Sequence, residues 1–234
     1  SVGRIIETLR SVRKQKKIFL FLIAFFFFID GVYTIIDMAT AYGSALGLDS
    51  TGLLLALLVT QFVAFPFSIL FGRLAEKYDT GKLILTCIAA YTGITVFAVF
   101  MKAQWQFWVL AIFVGMFQGG IQALSRSYFA KIVPPERSGE YFGLMDICGK
   151  GASFMGTTVV GLASQAFGSI NIGISAIVFL FLAGALFFMK TANPAFKVDK
   201  KQCFLKNTPL FWWGLGFWTP RDRKLIRHGK CRKF

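Results

Sequence analysis

Long apolar runs separated by short polar intervals dominate this chain. The first opens at Ile18 and continues to about Ala41, and its only charged residues are Asp30 and Asp37. Further uncharged runs fill 51–71, 83–101 and 107–125, and none of the 39 positions from Gly151 to Met189 carries a charge. A helix that crosses a bilayer needs about 20 mainly apolar residues at 1.5 Å per residue. The last stretch is therefore nearly twice too long for one crossing. The turn-forming segment GSINIG, 168–173, divides it. Together with YFGLMDICGK before it, the stretch yields a fifth helix over 141–167, rich in Gly, Ser and Thr, and a sixth over 172–189. The pattern thus predicts an all-α, integral membrane bundle of six helices, at about 18–41, 51–71, 83–101, 107–125, 141–167 and 172–189. A short polar segment, 1–17, precedes the bundle at 18–190, and a basic aromatic tail, 191–234, follows it. Ser1 reads as a processed start or as the cut end of something longer.

Composition agrees with that pattern. The 234 residues are 56% hydrophobic and 16% charged, with 28 phenylalanines and a mean hydropathy of +0.62. A soluble domain carries about 25% charged residues, so this chain has too few to wet a globular surface. Such aliphatic and aromatic content excludes disorder. Cys87, Cys148, Cys203 and Cys231 lack the spacing of a zinc site or a disulfide framework. With His228 as the single histidine, and with no P-loop, catalytic triad or metal-ligand spacing, neither an enzyme nor a metal or cofactor is expected.

The net charge of +15 matters by where it sits. If six helices alternate in direction, 24 of the 26 Lys and Arg fall on one side of the membrane, before the first helix, between the second and third, between the fourth and fifth, and in the tail. Lys102 falls on the other side, and Lys150 lies within the fifth helix. Positive charge collects on the cytoplasmic face, so both termini are expected in the cytoplasm. Charges spread over every loop on one side describe topology, not a nucleic-acid surface. The tail from Lys190 carries twelve cations against Asp199 and Asp222, a net +10, around the aromatic patch LFWWGLGFW, 210–218. It is expected either to lie in the lipid headgroup region or to remain solvated.

Several polar residues are costly where they stand. Asp30 lies about twelve residues into the first helix, roughly 18 Å deep. Asp37 is two turns further along the same face, with Tyr33 and Thr34 between them. A carboxyl group at mid-depth is a candidate for proton coupling, and equally an acceptor for hydrogen bonds from a neighbouring helix. Asp37 is also readable as a boundary residue. Gln118 and Gln122, four apart on the fourth helix, suit either a polar solute or helix-to-helix glue. The nearby Gly115 and Gly119 favour close helix packing. Asp146 and Lys150, four apart with the acid first, suit an intrahelical ion pair.

The loop GRLAEKYDTGK, 72–82, resembles the signature loop of the major facilitator superfamily: Gly72, Leu74, Ala75, Glu76 and Lys77 match in type, while Asp79 and then Gly81 stand where the turn glycine falls. Two longer stretches, IDGVYTIIDMATAYGSALGLDSTGLLLALLVTQFVAFPF and GMFQGGIQALSRSYFAKIVPPERSGEYFG, resemble one branch of that superfamily. It is the branch of the fungal autophagy-linked vacuolar amino-acid effluxers and their bacterial counterparts. The resemblance covers about Ile18 to Met189.

It implies twelve helices in two six-helix halves with a solute bound between them near the midplane. This chain resembles the C-terminal half, so its first and fourth helices would be the cavity-lining seventh and tenth. Asp30, Tyr33, Thr34, Asp37, Gln118 and Gln122 would then line a solute or proton pathway. Asp146 and Lys150 would stand at the seam with the other half, and Gly72, Glu76 and Lys77 at a cytoplasmic gate. The implied function is secondary transport of a small polar solute, such as an amino acid, by alternating access and coupled to protons. The implied partners are the lipid bilayer, the solute, protons and a separate or missing N-terminal six-helix half. The alternative is a six-helix scaffold, or an inactive transporter fragment, that does not transport.

Overall fold

The computed structural model describes residues 10, 12–13, 15–45, 47, 49–101, 103–168 and 170–192. Most of the 1–17 segment, Lys102 and the basic aromatic tail beyond Ala192 lie outside these residues. Among the described residues six long helices follow one another: α1 Lys16–Ala45, α2 Ser50–Lys77, α3 Thr80–Val99, α4 Gln104–Ile132, α5 Ser138–Phe167 and α6 Ile170–Ala192. Five of them contain the expected apolar stretch and run past it at one or both ends, whereas α3 stops at Val99, two residues before the end of the 83–101 stretch. α2 continues from Phe71 through GRLAEK, and α4 from Ser125 to Ile132, because nothing in those residues breaks a helix. Five of the six, all but α5, are long and apolar enough to cross a membrane. At 30 residues α5 has the length, but Glu140, Asp146, Lys150 and its many Gly, Ser and Thr residues lower its apolarity.

Local chemistry sets the ends. The Asp49 carboxylate accepts the Gly52 N–H at 2.7 Å and caps α2; Asp79 accepts the Gly81 N–H at 2.7 Å and caps α3. Asp79 and Gly81 of the signature loop thus form the start of a helix. Pro134 and Pro135 follow the end of α4. Gly168, at φ 66°, closes α5 in the left-handed conformation. The expected turn over 168–173 is shorter than its composition suggests, since α6 begins at Ile170.

The helices alternate in direction, and contacts at each end show it. At one end Gln15, just before α1, donates to the Tyr141 hydroxyl of α5 at 3.2 Å. There too Lys131 of α4 donates to Thr80 of α3 at 2.7 Å. Phe21, Tyr128 and Phe188 join α1, α4 and α6 with ring centroids 5.2–6.1 Å apart. At the other end the Tyr42 hydroxyl of α1 donates to the Ala98 carbonyl of α3 at 2.6 Å. Arg73, Lys77, Lys82, Lys131, Arg137 and Lys190 all collect at the first end. The second carries Asp37 and Asp49, with no Lys or Arg among the described residues.

α2 and α4 form the closest pair; α1 packs mainly on α6 and α5, while α3 touches α6 and α4. Glycine permits the α2–α4 approach: a Cβ on Gly115 would lie 2.6 Å from the Thr60 carbonyl oxygen, and one on Gly119 2.5 Å from that of Ala64. Outward, α2 presents Leu54, Leu58, Phe62, Phe65 and Ile69, with Phe62 79% exposed. Such a stripe is wetted by lipid or covered by another helix, never by water. The chain is therefore a multi-pass integral membrane protein, an all-α helical bundle.

Candidate functional site

Asp30 is fully buried, and it faces α5. Its Oδ1 accepts the Gly156 N–H at 2.8 Å and, at a longer 3.5 Å, the hydroxyl of Thr34 one turn along α1. Oδ2 has no partner among the described residues. The contact depends on the absence of a side chain at 156, since a Cβ there would fall onto Thr34 Oγ1 and Asp30 Oδ1. Two turns further, exposed Asp37 also meets α5, accepting the Ser153 hydroxyl at 2.7 Å. The polar stripe of α1 is thus read by α5 through Ser153 and Gly156.

Toward the basic end Phe129 of α4 meets Phe142 of α5 edge to face at 5.3 Å. Beside this contact an open cavity lies between α4, α5 and α1. Phe25, Ile29 and Met145 form its apolar wall; Tyr33, Gln122, Arg126, Asp146 and Lys150 supply polar groups. Arg126 Nη2 and Asp146 Oδ1 meet at 3.0 Å and bridge the two helices. The ion pair of Asp146 is therefore with Arg126 and not, as its spacing suggested, with Lys150. A tertiary neighbour twenty residues away offers a guanidinium, whose planar fork suits a carboxylate better than the ammonium of Lys150 does.

The expected residues thus divide. Tyr33, Gln122, Asp146 and Lys150 come together at the cavity, while Asp30 and Thr34 are sealed against α5. Gln118 lies one turn from Gln122 along α4, half-buried and outside the cavity lining, and its Oε1 has no partner among the described residues. Gly72, Glu76 and Lys77 are exposed at the end of α2, where Lys77 Nζ stands 5.9 Å from the Tyr78 ring centre. Sequence reasoning missed Arg126, Ser153 and Gly156. Arg126 had a signal, because it continues the Gln118–Gln122 row at the same four-residue spacing.

A family profile described as "Vacuole effluxer Atg22 like" matches residues 1–199. The chain belongs to this family. Among its relatives, the Bacillus subtilis (strain 168) protein "Uncharacterized MFS-type transporter YxiO" is 46% identical over 184 residues, 79% of this chain and 43% of that protein. "Autophagy-related protein 22" of Cryptococcus neoformans var. neoformans serotype D (strain B-3501A) is 26% identical over 198 residues, 77% of this chain and 35% of its own length. That of Saccharomyces cerevisiae (strain S288c) is 29% identical over 176 residues, 68% and 32% respectively. The chain spans less than half the length of these relatives. The Atg22-like family is one of transporters, and this bundle has the all-α membrane fold expected of a major facilitator half.

Proposed function

We propose that this Atg22-like bundle is the C-terminal half of a secondary transporter that moves a small polar solute, such as an amino acid, by alternating access. The observation that carries the reading is the cavity between α1, α4 and α5. In a bundle otherwise packed with Phe, Leu and Ile, it gathers a tyrosine, an amide, two cations and a carboxylate. α1 and α4 correspond to the seventh and tenth helices of the whole transporter. An N-terminal six-helix half, separate or missing, completes the cavity, and Gly72, Glu76 and Lys77 gate it on the cytoplasmic side. α5 makes the sixth span, its polar residues tolerated because they face the cavity and α1 instead of lipid. The basic end faces the cytoplasm of a bacterial membrane, with both termini on that side. No chemical conversion is assigned: the work is binding and reorientation.

Asp30 is the coupling carboxyl in this reading, with Thr34 as its local partner and Asp37 at the outer mouth of the path. Gln118 is the deepest amide on the solute route. The test is flux in proteoliposomes holding both halves. Asp30→Asn preserves shape and the acceptor for Gly156 but removes the proton site, so a pH gradient should no longer drive accumulation while downhill exchange continues. Unchanged pH-driven uptake in Asp30→Asn would end the coupling assignment. Flux through the unmodified assembly no greater than that of protein-free vesicles would end the transport reading itself.

A further inference from the structure

The ion pair across the cavity has a second cation, Lys150, in the same lining. Arg126 Nη2 binds Asp146 Oδ1 at 3.0 Å, with the two side chains 60% and 51% exposed. This bond is the polar tie between α4 and α5 at the cavity, beside the edge-to-face contact of Phe129 and Phe142 at 5.3 Å. Lys150 lies one turn beyond Asp146 on α5 and lines the same cavity. Four residues apart with the acid first, they have the favoured geometry for an intrahelical pair. Asp146 thus has two cations within its reach and is bonded to one. The lining carries two cations and one carboxylate, a net positive charge of one, with Tyr33 and Gln122 beside them to donate hydrogen bonds.

We propose that this cavity is a carboxylate-binding site in which a solute carboxylate replaces Asp146 on Arg126, and Asp146 then turns to Lys150. It rests on the transport reading only in taking the cavity as the place where the solute sits. Arg126 is the anchor, because its planar guanidinium can donate to either carboxylate, and to a solute carboxylate through two parallel N–H groups. The exchange breaks one charged pair, Arg126–Asp146, and makes two, Arg126 with the solute and Asp146 with Lys150, so solute binding releases the α4–α5 ion pair without leaving a bare charge in the cavity. Recognition and unlocking are then one event, and the two arrangements of Asp146 are its two states. A solute bearing only an ammonium group gains nothing at Arg126 and has Asp146 withheld from it.

The test uses the full chain in lipid nanodiscs and equilibrium dialysis of three radiolabelled probes of similar size: propionate, alanine and propylamine. Propionate and alanine should bind, and propylamine at least about tenfold more weakly. Arg126→Gln should remove propionate binding, and Arg126→Lys should weaken it, with circular dichroism and gel filtration unchanged for both. Asp146→Asn removes the internal competitor and should tighten propionate binding by about tenfold. A purely structural role for the pair would loosen it instead. Lys150→Gln should weaken binding several-fold in the parent but have no further effect once Asp146 is Asn. Propylamine binding as well as propionate, weaker binding in Asp146→Asn, or an equal Lys150→Gln effect in both backgrounds would each overturn the proposal. Proteins that bind propionate in the expected pattern but give no flux would support the site and count against transport alone.

Discussion

A carboxyl group fully buried in an apolar bundle persists because a backbone amide answers it. The Gly156 N–H contact at 2.8 Å needs the bare backbone of glycine, and no side chain at Asp30 other than a short acceptor would meet it. Gly156→Ala should therefore cost about 1–3 kcal/mol through overpacking. Thr34→Val, which removes only the longer 3.5 Å bond, should cost less than about 1 kcal/mol. Reversible unfolding in mixed detergent micelles measures both; equal costs would argue against the steric account. Depth made Asp30 conspicuous in the sequence, because a charge twelve residues into an apolar run stands out. Its partner did not stand out, since a backbone N–H has no signature except a glycine among many. Arg126 was obscured for another reason. The four-residue period joins Asp146 to Lys150 on one helix, whereas the observed bond spans twenty residues and depends on how α4 and α5 are placed.

At the scale of elements, the apolar runs fixed where each helix lies, but not where it stops. Hydrophobicity ends at the membrane boundary, while helical hydrogen bonding continues until a cap, a proline or a left-handed glycine intervenes. Hence α2 passes Phe71 and reaches Lys77, and α5 closes at Gly168. Asp79→Ala should remove the cap of α3 and cost about 1 kcal/mol, read as a lowered melting temperature. The glycines separate by role. Gly119→Leu would drive a side chain into the Ala64 carbonyl and part α2 from α4, with a loss of more than about 2 kcal/mol expected. A Cβ at Gly72 meets nothing within 4 Å and alanine is the better helix former, so Gly72→Ala should stabilise the bundle by up to about 1 kcal/mol. Any larger effect of Gly72→Ala on flux than on melting would then belong to gating and not to folding.

Over the whole molecule, the alternation of the six described helices places the cations of two loops and of both flanks of the bundle at one end. Single cysteines in a background lacking the native thiols report orientation: an impermeant maleimide should label Tyr78→Cys and Arg137→Cys only after the cytoplasmic face is opened, and Gly47→Cys from outside without opening. The reverse pattern would invert the topology. Charge counting anticipated this arrangement because it needs only the order of the segments, whereas the pairing of helices needs their faces. Those pairings are uneven. α2, α3 and α4 hold together through a glycine seam and the Lys131–Thr80 contact, and α1, α5 and α6 through Asp30 and the aromatic rings. Between these two trios the broad contact is α3 with α6, and the gap is the cavity beside α4 and α5. The bundle is in effect a book, with its spine at α3–α6 and its fore-edge held by the Arg126–Asp146 pair and the ring contacts of Tyr128 and Phe129. Force from a partner helix or a bending bilayer would open it along that edge first.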